Sequence, residues 1–190
     1  MVRNTNTKRA IMDLAEAFLQ DKGFNGFSYA HIASELGVKN AAIHYHFPSK
    51  EELVCAVIQR YRDRFQLWIN NSRVKNLSYQ EKLDWFFNIY VDTRVDHGKV
   101  CLAGSLETEF NSLPTSLREQ TEALTHELLA WLQATLHEGR EAGVFHFGGD
   151  PANKAALILS SLQGALQMAR ALGTDKFHAV VQQHKQDLLA

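Results

Sequence analysis

His44 and His46 flank Tyr45, and two imidazoles this close invite a metal ion. Residues i and i+2 point to different faces of a helix, however, and no further Cys or carboxylate completes a ligand set. Glu107 and Glu109 fail as an acid–base pair for the same reason, because two apart on a helix they splay. The chain has no nucleophile–base spacing, no Gly-rich phosphate loop and no metal motif. No enzymatic activity, cofactor or metal is therefore expected. What remains is hydrogen-bonding chemistry. Lys39, Asn40, His44, Tyr45, His46 and Lys50 crowd the end of the stretch GFNGFSYAHIASELGVKNAAIHYHFPSK, Gly23 to Lys50. That stretch reads as two short helices joined by a tight glycine-containing turn, the arrangement a major-groove reader of DNA needs.

The elements that must position these groups follow from periodicity and stop signals. Ile11, Leu14, Ala15 and Phe18 fall at i, i+3, i+4 and i+7, one helical face. Thr7 is expected to cap that helix and Gly23 to end it. A second helix is expected from Ser28 to Gly37, a third from Asn40 to His46. Pro48 blocks continuation of the third, and Ser49 with Glu52 forms the S-x-x-E capping box of a fourth. Leu53, Val57, Tyr61, Phe65 and Trp68 mark the buried stripe of that long helix. Beyond it, Leu83, Phe86, Phe87 and Tyr90 predict a fifth helix. A segment from Cys101 to Phe110 follows, then a long helix from Pro114. Residues 143–149 read as a loop. Asp150-Pro151 is an N-cap followed by Pro at the first helical position, and Thr174 caps a last helix. The expectation is all-α, about nine helices, with a head over residues 1–50 and a larger helical body over 51–190.

Charge adds a mild polarity. Residues 1–50 carry six Lys/Arg against four acids, +2, which leaves −3 for the remainder of a chain of formal net charge −1. That suits a head facing phosphates and a body that does not. Two distant cysteines, Cys55 and Cys101, argue against a disulfide scaffold. The N-terminus has no long apolar run, and no stretch approaches the ~20 apolar residues of a membrane span. A cytoplasmic protein without membrane association is expected.

Residues 7–58 resemble the DNA-binding domain of the TetR/AcrR family of bacterial transcriptional regulators. The matching elements are Thr7, Ile11, Ala15, Gly23, Phe27-Ser28, Ile32-Ala33, Gly37-Val38, Ile43 to Phe47, Ser49 to Glu51 and Leu53. The resemblance implies that Lys39, Asn40, Ala41 and Ala42 face base edges. Asn suits adenine, Lys suits guanine, and alanine methyls suit thymine. It implies phosphate contacts from His44, Tyr45, His46 and Lys50, and backbone contacts from Ser28 and Tyr29, contacts that position rather than specify. His44 stands where the family usually has Tyr, so its contact would depend on charge and weaken as pH rises.

For the body, the resemblance implies a homodimer on a double-stranded palindromic operator, released by a small-molecule effector or electrophile. Repression is the sign it implies. Ala156, Ser160, Gly164 and Ala165 would let the Pro151 helix approach a partner's backbone. Together with the helix before it, Leu117 to Glu141, it would build a four-helix bundle with the partner's pair. Trp85, Phe86, Tyr90, Cys101, Phe110 and Trp131 are the expected effector pocket, with Glu107 or Glu109 as its polar anchor and the fourth helix as mechanical link. Cys101, with Lys99 two residues away, also resembles a sensor thiol of one TetR branch. The competing reading keeps the fold and makes the protein a DNA-bound interaction regulator with no small-molecule effector.

Overall fold

In the computed structural model of the chain, the backbone is described at residues 2–94 and 98–189, and the side chains at 6–89 and 98–189. These residues form ten α-helices and one short 3-10 helix joined by turns and loops, with no strand among them. They are α1 Val2–Lys22, α2 Tyr29–Leu36, α3 Asn40–His46, α4 Lys50–Ile69, α5 Ser72–Lys75, α6 Tyr79–Arg94, α7 Leu102–Thr108, α8 Thr115–Glu141, α9 Pro151–Leu172 and α10 Asp175–Leu189. The 3-10 helix is Phe110–Ser112.

The count exceeds the expected nine because the Asn71 side chain accepts the Arg73 N–H at 2.9 Å and nucleates the four-residue α5. α1 also begins earlier than Thr7, since nothing between Val2 and Thr7 breaks a helix. Elsewhere the stop signals act as expected. Gly23 (φ 77) and Gly37 (φ 63) take left-handed conformations that favour glycine. Asp150 Oδ1 accepts the Ala152 N–H at 2.8 Å ahead of Pro151.

By compactness the chain divides into two units, at different points from the functional division suggested at residue 50. The first comprises residues up to Phe65 with Leu102–Leu124; the second comprises Gln66–Cys101 with Thr125–Ala190. In the first unit Ile11, Ala15 and Leu19 of α1 are buried with Ile32 of α2, Ile43 of α3 and Leu53 and Val57 of α4. Arg60 ties α4 to α1 through Asp13 at 2.6 Å and Glu16 at 2.7 Å. Ser105 Oγ of α7 donates to the Leu19 carbonyl at 2.5 Å, so α7 packs on the end of α1.

The second unit is organised around rings. Trp131 lies 4.9 Å from Trp68 and 5.4 Å from Phe86 between centroids, and Trp68 lies 6.4 Å from Trp85. α9 turns Ala155, Ile158, Leu159, Leu162, Ala165 and Leu166 inward, and α10 turns Phe177, Val181, His184 and Leu188 inward. These two helices pack on each other. Lys185 of α10 pairs with Asp84 of α6 at 2.7 Å. At the end of α8, Gly139 is needed because a Cβ there would stand 2.3 Å from the buried Phe145 ring.

Candidate nucleic-acid interface

α3 is held by its apolar residues and leaves its polar ones outward. Ile43 is wholly buried and Phe47, just past the helix, nearly so. Between and before them Lys39, Asn40 and Ala41 are exposed, and Ala42 is half-buried. Lys39 is the N-cap in extended conformation, its carbonyl accepting the Ala42 N–H at 2.9 Å. Tyr45 is 75% exposed, more than any other large hydrophobic side chain among the described residues. A tyrosine this uncovered contributes nothing to the core and offers its hydroxyl and ring to an outside partner. His46 is half-buried with its ring edge-on to Tyr45 at 5.2 Å.

His44 is exposed and oriented. Its Nδ1 lies 3.1 Å from the Pro48 carbonyl, and its ring meets Tyr29 edge-on at 4.8 Å. A carbonyl can only accept, so Nδ1 carries the proton. Nε2 is then a donor only when the ring is charged, and a phosphate oxygen requires a donor.

Two of the expected contacts are instead spent inside the protein. Tyr29 is 8% exposed, and its hydroxyl donates to the Phe47 carbonyl at 2.9 Å. Burial, then the nearby Glu52 carboxylate, pushes its pKa up to about 12. It fixes the end of α3 against the start of α2. Lys50 Nζ donates to the carbonyls of Phe24 and Phe27, the latter at 2.5 Å, and sits 4.5 and 4.4 Å from the two ring centroids. Its ammonium therefore clamps the α1–α2 turn. Burial lowers its pKa, against the Glu109 carboxylate, which raises it. Ser28 remains exposed, but its backbone N–H donates to His31 Nδ1 at 3.0 Å and caps α2.

His31 and Glu109 take parts in this interface that were not read from the sequence. The S-x-x-H spacing of Ser28 and His31 imitates a capping box and was available as a signal. Glu109, expected as a pocket anchor, accepts from the Asn25 backbone N–H at 3.0 Å and from Asn25 Nδ2 at 3.3 Å. No local pattern announces a partner 84 residues away.

The expected effector residues belong to both units. Phe86 and Trp131 lie in the ring cluster with the exposed Trp85. The Tyr90 side chain lies outside the described residues. Phe110 belongs to the first unit. Cys101 is 1% exposed and packed. The second unit holds a cleft of about 170 Å³ lined by Ile69, Val74, Lys75, Lys82, Trp131, Ala134, Thr135 and Glu138. Of the four small residues expected at the dimer face, Ala156, Ser160 and Gly164 are exposed and share one face of α9. Ala165 is buried within the protomer, one position out of register with them. No group of three potential metal ligands occurs among the described residues, and no described helix is long and apolar enough to cross a membrane.

Residues 11–57 match the bacterial regulatory proteins of the tetR family, and residues 81–184 match the tetracyclin repressor-like C-terminal domain. A TetR-family transcriptional regulator from Agrobacterium tumefaciens superposes with a TM-score of 0.90 at 29% identity, covering 98% of this chain and 100% of that one. A TetR regulator from Legionella pneumophila gives 0.83 at 32% identity, with 94% and 95% covered. An uncharacterised HTH-type transcriptional regulator of Lactococcus lactis is 28% identical over 174 residues, 87% of this chain and 84% of its own length. With an outward-facing α3 on a braced three-helix head and both parts of the family's architecture matched, the chain belongs to the TetR family of bacterial transcriptional regulators.

Proposed function

We propose that the protein is a homodimeric, cytoplasmic repressor that reads a palindromic operator with α3 and leaves it when an effector occupies the C-terminal domain. The face of α3 carries this reading. Lys39, Asn40 and Ala41 are exposed beside Tyr45, while Tyr29 holds the end of α3 and Lys50 the α1–α2 turn. In this reading Asn40 and Lys39 meet base edges, Ala41 and Ala42 allow close approach, and Tyr45, His44 and His46 meet phosphates. Ser28 meets the backbone at the start of α2. The protein acts by binding and not by catalysis.

Two heads are needed for useful discrimination, because one short helix makes few base contacts. The pair of helices offered to a partner is α9 with α10, not α8 with α9, since α9 and α10 already share their apolar faces. The outward face of α9 presents Ala156, Leu157, Ser160, Gly164, Met168 and Leu172. Effector binding acts only through unequal affinity for the DNA-competent and incompetent states. α4 is the proposed link, as it supplies residues to both units.

The experiment is selection of bound sequences from a random duplex pool at fixed salt. A two-fold symmetric motif with half-sites about one helical turn apart is expected. Enrichment of no motif by the folded protein, or of an asymmetric one, would sink the reading.

A further inference from the structure

The cleft of the second unit has two kinds of wall. Ile69, Val74, Trp131 and Ala134 are apolar, while Lys75, Lys82, Thr135 and Glu138 are polar. Its volume of about 170 Å³ is close to that of an engineered apolar cavity of about 150 Å³ that binds benzene. That is room for a ligand built on one small ring. Trp131 is backed by Trp68 and Phe86 at 4.9 and 5.4 Å, so its indole is held as a fixed flat surface.

The charges favour an anion. Two ammonium groups face one carboxylate in the lining, and among the described residues none of the three is in an ion pair. Lys82 Nζ rests 4.9 Å from the Tyr79 ring centroid, a contact with a π-face that still leaves N–H donors for an anion. Thr135, 4% exposed, lines the same cleft and adds a hydroxyl to its polar side. A bare inorganic anion would leave the apolar wall unused, and a cationic ring would meet both lysines.

We propose that this cleft binds a small aromatic carboxylate. The ring lies against Trp131, the carboxylate is shared by Lys75 and Lys82, and Thr135 supplies a further donor. The regulatory meaning of this site rests on the effector-responsive reading above; the binding itself does not.

The test uses the full chain and its own fluorophores. The sequence has three tryptophans, and all three, Trp68, Trp85 and Trp131, stand in the cluster that borders the cleft. Benzoate, phenylacetate and 3-phenylpropionate are titrated while tryptophan emission is followed, with benzamide and phenethylamine as neutral and cationic counterparts. At least one carboxylate is expected to give a saturable change, with benzamide binding about tenfold more weakly and phenethylamine more weakly still. Lys75→Gln and Lys82→Gln are each expected to weaken the carboxylate by about tenfold, the worth of one charge-assisted hydrogen bond, and to leave benzamide unchanged. No saturable change with any of the three, equal affinity for benzamide, or wild-type affinity in both variants would overturn the proposal.

The same carboxylate is then added to the complex with the selected operator. Binding without release of DNA supports the ligand class and counts against the effector reading. Release by other compounds, with no carboxylate bound, overturns the ligand class alone.

Discussion

Glu109 holds the turn between α1 and α2 from 84 residues away, its Oε2 accepting the Asn25 backbone N–H at 3.0 Å. Asn25 Nδ2 extends the latch to Ser112 Oγ at 3.1 Å. The carboxylate lies so close to the turn that a Cβ on Gly23 would stand 2.3 Å from Oε1. Gly23 is thus fixed twice, by φ 77 and by Glu109. Gly23→Ala is expected to cost about 2–4 kcal/mol, from left-handed backbone strain and the displaced charged hydrogen bond. In a Glu109→Ala background only the strain remains, about 1–2 kcal/mol. Denaturant unfolding of the four proteins measures the coupling, and strict additivity would break the argument.

Lys50 and Asn40 separate positioning from reading. Lys50→Met removes an ammonium that serves two carbonyls and is expected to destabilise the head by about 2 kcal/mol. The folded remainder should keep the wild-type salt dependence of DNA affinity, because no phosphate contact is lost. Were Lys50 on a phosphate, the log–log salt slope would shrink by about 0.9. Asn40→Ala should do the opposite, leaving stability unchanged and relaxing one position of the selected motif. An unchanged motif would remove Asn40 from the base-reading set.

The contrast marks what the sequence could convey. The bounds of α2, the end of α3 and the start of α4 were legible because they are local: Gly37 and Pro48 stop helices, and Ser28 and Ser49 start them. The outward face of α3 was legible because Ile43 and Phe47 fix the inward one. The commitments of Tyr29, Lys50 and Glu109 were not, since each partner lies 18 to 84 residues away. A residue type with a free donor reads as a DNA contact until a distant carbonyl is seen to take it. Ala165 failed on register, because Ile158, Leu162, Ala165 and Leu166 form the inward helical face and exclude it from the outward one.

Tyr29 gives the head an alkaline limit. Its folded pKa of about 12 stands above the ordinary 10.0, so between those values the folded state holds a proton that the unfolded state has released. The stabilisation is complete below pH 10 and is lost as pH rises towards 12. Tyrosinate absorbance should show one tyrosine titrating well above the ordinary 10.0. Tyr29→Phe is expected to lower stability at pH 7 by about 1 kcal/mol and to flatten the alkaline slope. A wild-type slope in that variant would place the limit elsewhere.

His44 should contribute a phosphate contact. Its Nδ1 is given to the Pro48 carbonyl at 3.1 Å, so the imidazolium offers a phosphate a donor at Nε2. His44→Leu removes that donor and is expected to weaken operator binding by about tenfold. Fluorescence anisotropy with a labelled operator checks this, and wild-type affinity in the variant would remove His44 from the phosphate-contact set.

The face of α9 that carries Ala156, Ser160 and Gly164 makes the sharpest claim about assembly. A Cβ on Gly164 would meet no atom within 4 Å in the protomer, so the protomer has no need of glycine there. Glycine inside an exposed helix costs about 1 kcal/mol, which makes its presence a cost with no return within one chain. Leu172, 69% exposed on the same helix, is equally unexplained by the protomer. The proposed homodimer would resolve both, since glycine admits a close backbone and leucine gains cover. Gly164→Arg is then expected to leave the protomer folded and slightly stabilised, and to separate the dimer. Leu157→Glu should do likewise. Each separated protein would bind a full operator at least 100-fold more weakly, because the second head no longer arrives by an intramolecular step. Sedimentation velocity gives the assembly state, and anisotropy gives the affinity. Dimers that survive both substitutions would move the interface off α9, and monomers with undiminished affinity would mean that one head suffices.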